Sequence, residues 1–224
     1  MCSFGTLRPV SSYVVRVWLP DRPGALGQVA SRIGAVRGDV VGIEILERGG
    51  GSAIDELVVS LPDEVGRDLL LAEIAQVDGV AVEDVRPIDP ARPDAGMLAL
   101  EIAAALVETE PNARLAMFCD QLCHLVDGAW ALAIRTEDGA TLVQRGSTPD
   151  TAWLAAFFAG SRHLAADTHS AATPSDVVWV HLEGAGVSVA SGGSDRPFHT
   201  RERVQVGLLG RVVDGLLPAA LDGA

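Results

Sequence analysis

The feature that most constrains the fold is a regular exchange between two spacings of apolar residues along residues 12–88. Apolar and polar residues alternate in four segments, which predicts strands over 13–19, 40–46, 54–61 and 80–86. In two other segments the apolar residues recur every three or four positions, which predicts helices over 24–37 and 65–77. The resulting order, βαββαβ, is typical of a four-stranded antiparallel sheet with both helices on one face.

The connection between the first strand and the first helix, residues 20–36, reads PDRPGALGQVASRIGAV. The first turn of a helix has unpaired N–H groups and the positive end of the helix dipole, so it favours an anion. Pro23 fixes the backbone before the helix, and Gly24 lets a ligand approach the backbone closely. Asp21 is placed to accept a hydrogen bond from an ammonium group. These features suit a free amino acid, but they also suit a plain turn in which Asp21 caps the helix.

A proline-rich segment over residues 89–96 predicts a linker between two domains, 1–88 (core 12–88) and 97–224. The second domain begins with two predicted helices. Two strand hairpins follow, over 129–144 and 177–190, with a predicted helix over 151–164 between them. A closing helix is predicted over 201–217. The chain is therefore predicted to be α+β, with an antiparallel sheet in each domain.

The first domain resembles the ACT domain, a small regulatory module that binds ligands. The resemblance rests on the sequence DRPGAL at residues 21–26, placed between strand one and helix one of a βαββαβ order. It implies a ferredoxin-like fold with an amino-acid site at this turn, formed by Asp21, Arg22, Pro23, Gly24, Ala25 and Leu26. The second wall of such sites commonly comes from strand two of a partner subunit. That strand implies a homodimer and, here, the residues Val40, Val41, Gly42 and Ile43.

Residues 97–219 resemble the GAF domain, another small-molecule sensing or dimerisation module, with an α/β fold around a central antiparallel sheet. The resemblance rests on three stretches: DGAWALAIRTEDGATLV, WVHLEGAGVSVAS and RPFHTRERVQVGLLGRVVDGLL. The region between the two hairpins is short, so we expect any enclosed pocket to be small. The family's cyclic-nucleotide motif is missing, and the sequence does not specify a ligand for this half.

Composition narrows the classes of function. The formal net charge is −13, and all 17 basic residues are arginine, which excludes lysine chemistry and argues against nucleic-acid binding. No segment has the pattern of a signal peptide or a membrane-spanning helix. Three cysteines are too few for a disulfide framework. We therefore expect a cytoplasmic protein that needs no cofactor, and the lysine-free composition is typical of a GC-rich bacterial genome.

Two groups of side chains could support other chemistry. Cys119, Cys123 and His124 are close enough along one predicted helix to share a metal, but Cys119 falls on the apolar stripe, which favours core packing. His163 and His169 flank a predicted loop, and they could form a metal or acid–base site. Their spacing matches no familiar motif. The tryptophans of the second half, Trp130, Trp153 and Trp179, are predicted to pack in the core rather than to line a pocket.

The sequence thus predicts a non-catalytic, homodimeric regulatory protein that senses a small metabolite, with an amino acid as the leading candidate. Two alternatives stay open. The chain could be an accessory subunit that docks on a partner enzyme, transporter or signalling protein. It could instead be an enzyme that uses the loop of His163 and His169.

Overall fold

The computed structural model describes residues 10–161, 174–193 and 195–219. The chain divides into two compact units, Met1–Arg92 and Pro93–Ala224. Each unit is built around a four-stranded antiparallel sheet, which confirms the predicted α+β class. Within the described part of the chain, no helix is long and apolar enough to cross a membrane.

The first unit has the predicted order of strands and helices. Its elements are β1 (Val10–Pro20), α1 (Ala25–Ala35), β2 (Asp39–Gly49), β3 (Ser52–Pro62), α2 (Arg67–Ile74) and β4 (Ala81–Ile88). The strands lie in the order β2-β3-β1-β4, so β2 and β4 are the edges. The hairpin between β2 and β3 is tighter than the alternation indicates, because the ladder continues until Gly49 pairs with Ser52.

Both helices of the first unit pack on one face of its sheet. Val15 of β1 and Leu57 of β3 are directly paired, so their side chains point to the same face. They share a buried core with Ile33 of α1 and Leu70 and Ile74 of α2. Each of these five side chains is fully buried, and burial of one such side chain contributes roughly 1.5–3 kcal/mol.

The edge strand β2 leaves apolar side chains open to solvent. The exposed fractions are 59% for Val41, 53% for Ile43 and 38% for Ile45. Two register shifts, between Val40 and Gly42 and between Ile45 and Glu47, interrupt its pairing with β3. An exposed, apolar edge strand of this length is a ready surface for pairing with another strand.

The second unit alternates helices with two hairpins. Its sheet has the strand order β6-β5-β8-β7. Its elements are α3 (Ala95–Glu108), a short 3₁₀ helix (Pro111–Ala113), α4 (Arg114–Val126), β5 (Trp130–Arg135), β6 (Thr141–Arg145), α5 (Thr151–Ser161), β7 (Val177–Leu182), β8 (Val187–Gly192) and α6 (Thr200–Leu216).

Both faces of the second sheet are covered by helices. One face packs against α3, α4 and α6, and the other packs against α5. Trp130 and Trp179 are buried on the α5 side, as predicted. The prediction was wrong for Trp153, which is 47% exposed and stacks on Phe157 with ring centroids 5.8 Å apart. Because α5 is apolar almost all round, its sequence pattern could not indicate which side faces the sheet.

Candidate functional site

The turn between β1 and α1 is held against the hairpin between β2 and β3. The backbone N–H of Asp21 donates to the carbonyl of Gly51 at 3.0 Å, and that of Arg22 donates to the carbonyl of Pro20 at 2.8 Å. Gly24 has φ of 88°, in the left-handed region that side chains other than glycine rarely adopt. The sharp bend therefore requires glycine, and it directs α1 away from the end of β1.

No side chain caps the start of α1. Gly24 occupies the N-cap position, and the first turn contains no acidic residue. Asp21 therefore does not cap α1, which was the purely structural role that the sequence left open for it. The positive end of the helix dipole is left uncompensated by the first turn itself, which suits an anionic group from elsewhere.

A pocket of about 360 Å³ lies at this turn. Ligand pockets usually fall between about 300 and 1,000 Å³, so its volume suits a small metabolite. Five of the predicted turn residues line it: Asp21, Arg22, Pro23, Gly24 and Leu26. The remaining lining residues are Leu19, Pro20, Arg48, Ala53 and Asp55.

The other predicted site residues do not line this pocket. Ala25 is only 1% exposed and packs in the core below the turn. Val40, Gly42 and Ile43 pair with the stretch of β3 that runs from Val59 to Leu57, whereas the turn lies where Pro20 pairs with Ser52. Five residues of strand separate the two places, which is roughly 17 Å. Within one chain, therefore, residues 40–43 and the turn are not brought together.

Asp55 is a lining residue that the sequence reasoning missed. It lies in the middle of β3, paired with Val17 on one side and Ile45 on the other, and it is only 3% exposed. The signal was present in the alternation, because Asp55 has the same parity as Leu57, Val59 and Leu61, whose side chains form the core. A carboxylate at a position where the pattern requires an apolar residue is unusual, and such positions are candidates for a functional role.

Two acidic and two basic side chains meet in the pocket. Burial raises the pKa of the Asp55 carboxyl. The guanidinium of Arg48 opposes this rise, and the carboxylate of Asp21 adds to it. Arg22 supplies the second positive charge to the lining. The pocket therefore offers both signs of charge to a ligand.

The described residues do not support a metal site at Cys119, Cys123 and His124. Cys119 is fully buried in the core of the second unit, and burial raises the pKa of its thiol to about 12. Among the described residues, no group of three or more histidine, cysteine or acidic side chains could hold a metal. The predicted loop site of His163 and His169 lies outside the described residues. The ring of His181 is occupied by the hydroxyls of two buried serines, at 2.9 Å from Ser188 and 3.3 Å from Ser161.

Comparison with known families identifies the first unit. Residues 13–79 match the family model of the ACT domain, so the predicted ACT domain is confirmed. ACT domains are regulatory modules that bind small-molecule effectors and often dimerise. The resemblance of residues 97–219 to the GAF domain stays a prediction. No curated protein matches the chain.

Three solved structures are distantly similar to parts of the chain. An unknown protein from Galdieria sulphuraria is 18% identical with a TM-score of 0.32, and the alignment covers 43% of this chain and 65% of that one. The C-terminal domain of the MgtC protein from Mycobacterium tuberculosis is 18% identical with a TM-score of 0.31, over 38% of this chain and 95% of that domain. A formyltetrahydrofolate deformylase from Pseudomonas putida KT2440 is 17% identical with a TM-score of 0.30, and the alignment covers 40% of this chain and 36% of that one.

Proposed function

We propose that this protein is a non-catalytic regulator that binds a free amino acid at the turn between β1 and α1. The single observation that carries the proposal is the pocket at this turn, which lies within an ACT domain and combines an uncapped helix start with charged side chains. The carboxylate of the amino acid suits the N–H groups of the first turn of α1 and the guanidinium groups of Arg22 and Arg48. Its ammonium group suits the carboxylates of the lining.

The proposal includes a homodimer in which each site receives its second wall from the partner. β2 is an edge strand with exposed apolar side chains, and these support pairing with a second copy. Antiparallel pairing of two β2 strands about a two-fold axis sets the beginning of one strand beside the end of the other. Residues 40–43 of a partner then lie at the end that carries Arg48 and the turn, although they are far from the turn in their own protomer.

Binding at such an interface regulates by population shift. A ligand that contacts both copies favours the arrangement of subunits in which both walls are in place. The shift can be no larger than the difference in affinity between that arrangement and the others. We assign the second unit the role of a GAF-like sensor or dimer brace, and what supports this is its antiparallel sheet with helices on both faces.

Thermal shift and calorimetry with each of the twenty common amino acids test the ligand. We expect at least one amino acid to raise the melting temperature of the full chain and to bind with measurable heat. The variant Asp21→Ala should weaken that binding. Asp68→Ala is the matched control, because Asp68 is an exposed aspartate of the same unit that does not line the pocket. A flat response of the wild-type chain to all twenty compounds would refute the function.

Analytical ultracentrifugation tests the interface. Ile43→Glu places a charge on the exposed edge strand and should produce monomers that no longer bind the amino acid. Leu208→Glu is the matched control, since Leu208 lies on α6 of the second unit and is 54% exposed against 53% for Ile43. If the Ile43 variant stays dimeric with unchanged affinity, β2 does not supply the second wall.

A further inference from the structure

The Asp55 side chain is buried, and one of its carboxylate oxygens accepts no hydrogen bond within the described residues. The residue is 3% exposed, and its Oδ1 atom has no hydrogen-bond partner among the described residues. Its neighbours in the sheet are apolar: Val17 and Ile45 pair with it directly, and Ala53 and Leu57 flank it on the same face. A buried carboxylate oxygen that accepts no hydrogen bond is costly, so a purely structural role is a poor explanation for an aspartate here.

The next residue along the same strand shows how this fold pairs a structural carboxylate. Glu56 points to the opposite face of the sheet, where its Oε2 atom accepts hydrogen bonds from Arg16 at 2.7 Å and from Arg86 at 3.3 Å. Arg86 also donates to Asp84 at 2.8 Å, so both arginines are held within a network. Oδ1 of Asp55 accepts no such hydrogen bond, although Arg48 lines the same pocket and attracts the Asp55 carboxylate electrostatically. The contrast indicates that the partner of Asp55 comes from outside the chain.

We propose that Asp55 is the anchor for a protonated amine of the ligand. This inference rests on the proposed function and narrows it, because the pocket then selects compounds that carry an ammonium group as well as a carboxylate. In this proposal the carboxylates of Asp21 and Asp55 bind the amine. The guanidinium groups of Arg22 and Arg48 and the start of α1 bind the carboxylate, and all four side chains line the pocket. A 2-oxo acid or a dicarboxylate leaves Asp55 without a partner and is disfavoured. A divalent cation is disfavoured as well, because the two arginines lie in the same lining.

The test compares matched ligands on matched variants of the full chain. Calorimetry is run with each of the twenty common amino acids and with the 2-oxo acid that corresponds to each amino acid that binds. We expect the 2-oxo acid to bind the wild-type chain at least roughly tenfold more weakly than the amino acid, since a charged hydrogen bond is lost. Asp55→Asn should lower the affinity for the amino acid roughly tenfold to hundredfold and leave the affinity for the 2-oxo acid unchanged. Asp68→Asn, the same chemical change at an exposed site of the same unit, should alter neither.

Asp55→Ala serves as a second variant, because alanine already occupies position 53 on the same face of β3. Circular dichroism checks that both variants fold. Binding of an amino acid with unchanged affinity in both variants overturns the role of Asp55 and leaves the proposed function in place. Equal affinity for the amino acid and its 2-oxo acid also overturns it. If no amino acid binds the wild-type chain, the proposed function fails and the anchor fails with it.

Discussion

Replacing Asp55 by asparagine should make the ligand-free protein more stable at neutral pH. Leaving a buried polar group unpaired costs roughly 1–3 kcal/mol, and a charged group lies at the upper end or beyond it. Asparagine has nearly the same shape and removes the charge, but its amide still has a smaller desolvation cost. We therefore expect a net gain of about 1 kcal/mol, or about 4–8 °C in the melting temperature of a domain of this size. Most single substitutions destabilise, so the predicted sign is itself a strong test.

The gain should depend on pH in a defined direction. The folded-state pKa of Asp55 is raised above its ordinary value of 3.8, mainly by burial. Between 3.8 and the raised pKa, the folded state holds a proton that the unfolded state has lost, so the stability of the wild-type protein falls as the pH rises through this window. Arg48, Asp21 and Arg22 are the charged groups that share the pocket, and all three are kept in the variant. The gain in stability from Asp55→Asn should therefore be largest at pH values above the raised pKa of Asp55, and it should shrink as the pH falls to 3.8.

The assay is hydrogen exchange across a urea series, read by mass spectrometry on peptides from β3. It reports the first unit separately from the second, which a single melting curve does not do. Asp68→Asn should show no comparable gain. A variant that is less stable than wild type at neutral pH, or an advantage that is the same at pH 3.8, would show that Asp55 is already satisfied in the folded protein.

Three further substitutions or reactions test the packing. Gly24→Ala should destabilise the first unit by roughly 1–2 kcal/mol, because φ of 88° is strained for alanine even though no atom lies within 4 Å of the added Cβ. Gly27→Ala, in α1 with equally open space, should not destabilise it, and urea unfolding compares the two variants. Gly210→Ala should lower the free energy of unfolding by roughly 1–3 kcal/mol, because the added Cβ lies 2.3 Å from Val180 Cγ2. Gly215→Ala in the same helix should be neutral or stabilising, and equal melting temperatures of the two variants would contradict this. Cys119 should resist alkylation by iodoacetamide at mildly alkaline pH until the chain unfolds, since burial raises its thiol pKa to about 12, and rapid labelling of the native protein detected by mass spectrometry would contradict its core position.

In the first unit, the sequence was sufficient for the order of elements because the spacing of apolar residues follows a helix-covered core on one face of the sheet. Val15 and Val17 alternate because β1 is covered by helices on one side, and the DRPGAL turn has a glycine because the backbone there is left-handed. The orientation of Trp153 was not predictable, because a helix that is apolar all round has no distinguishable buried side. Asp55 was missed for a different reason. The sequence showed that Asp55 alternates in step with the core residues of β3. Only the pairing register of β1, β2 and β3 places it beside Asp21 and Arg48.

Several unusual features of the first unit occur together, and a ligand can offset the cost of one of them. The left-handed backbone at Gly24 excludes ordinary side chains, no side chain caps the start of α1, and Oδ1 of Asp55 accepts no hydrogen bond. All three features adjoin one pocket. Leaving a buried polar atom without a hydrogen bond costs roughly 1–3 kcal/mol. A ligand present at about a hundred times its dissociation constant stabilises the folded protein by about 2.7 kcal/mol, which is enough to offset that cost. When an unfavourable empty pocket is filled, the ligand relieves the cost, so the free energy of the protein differs strongly between the empty and the bound state. A regulatory domain needs such a difference in order to shift a population of subunit arrangements.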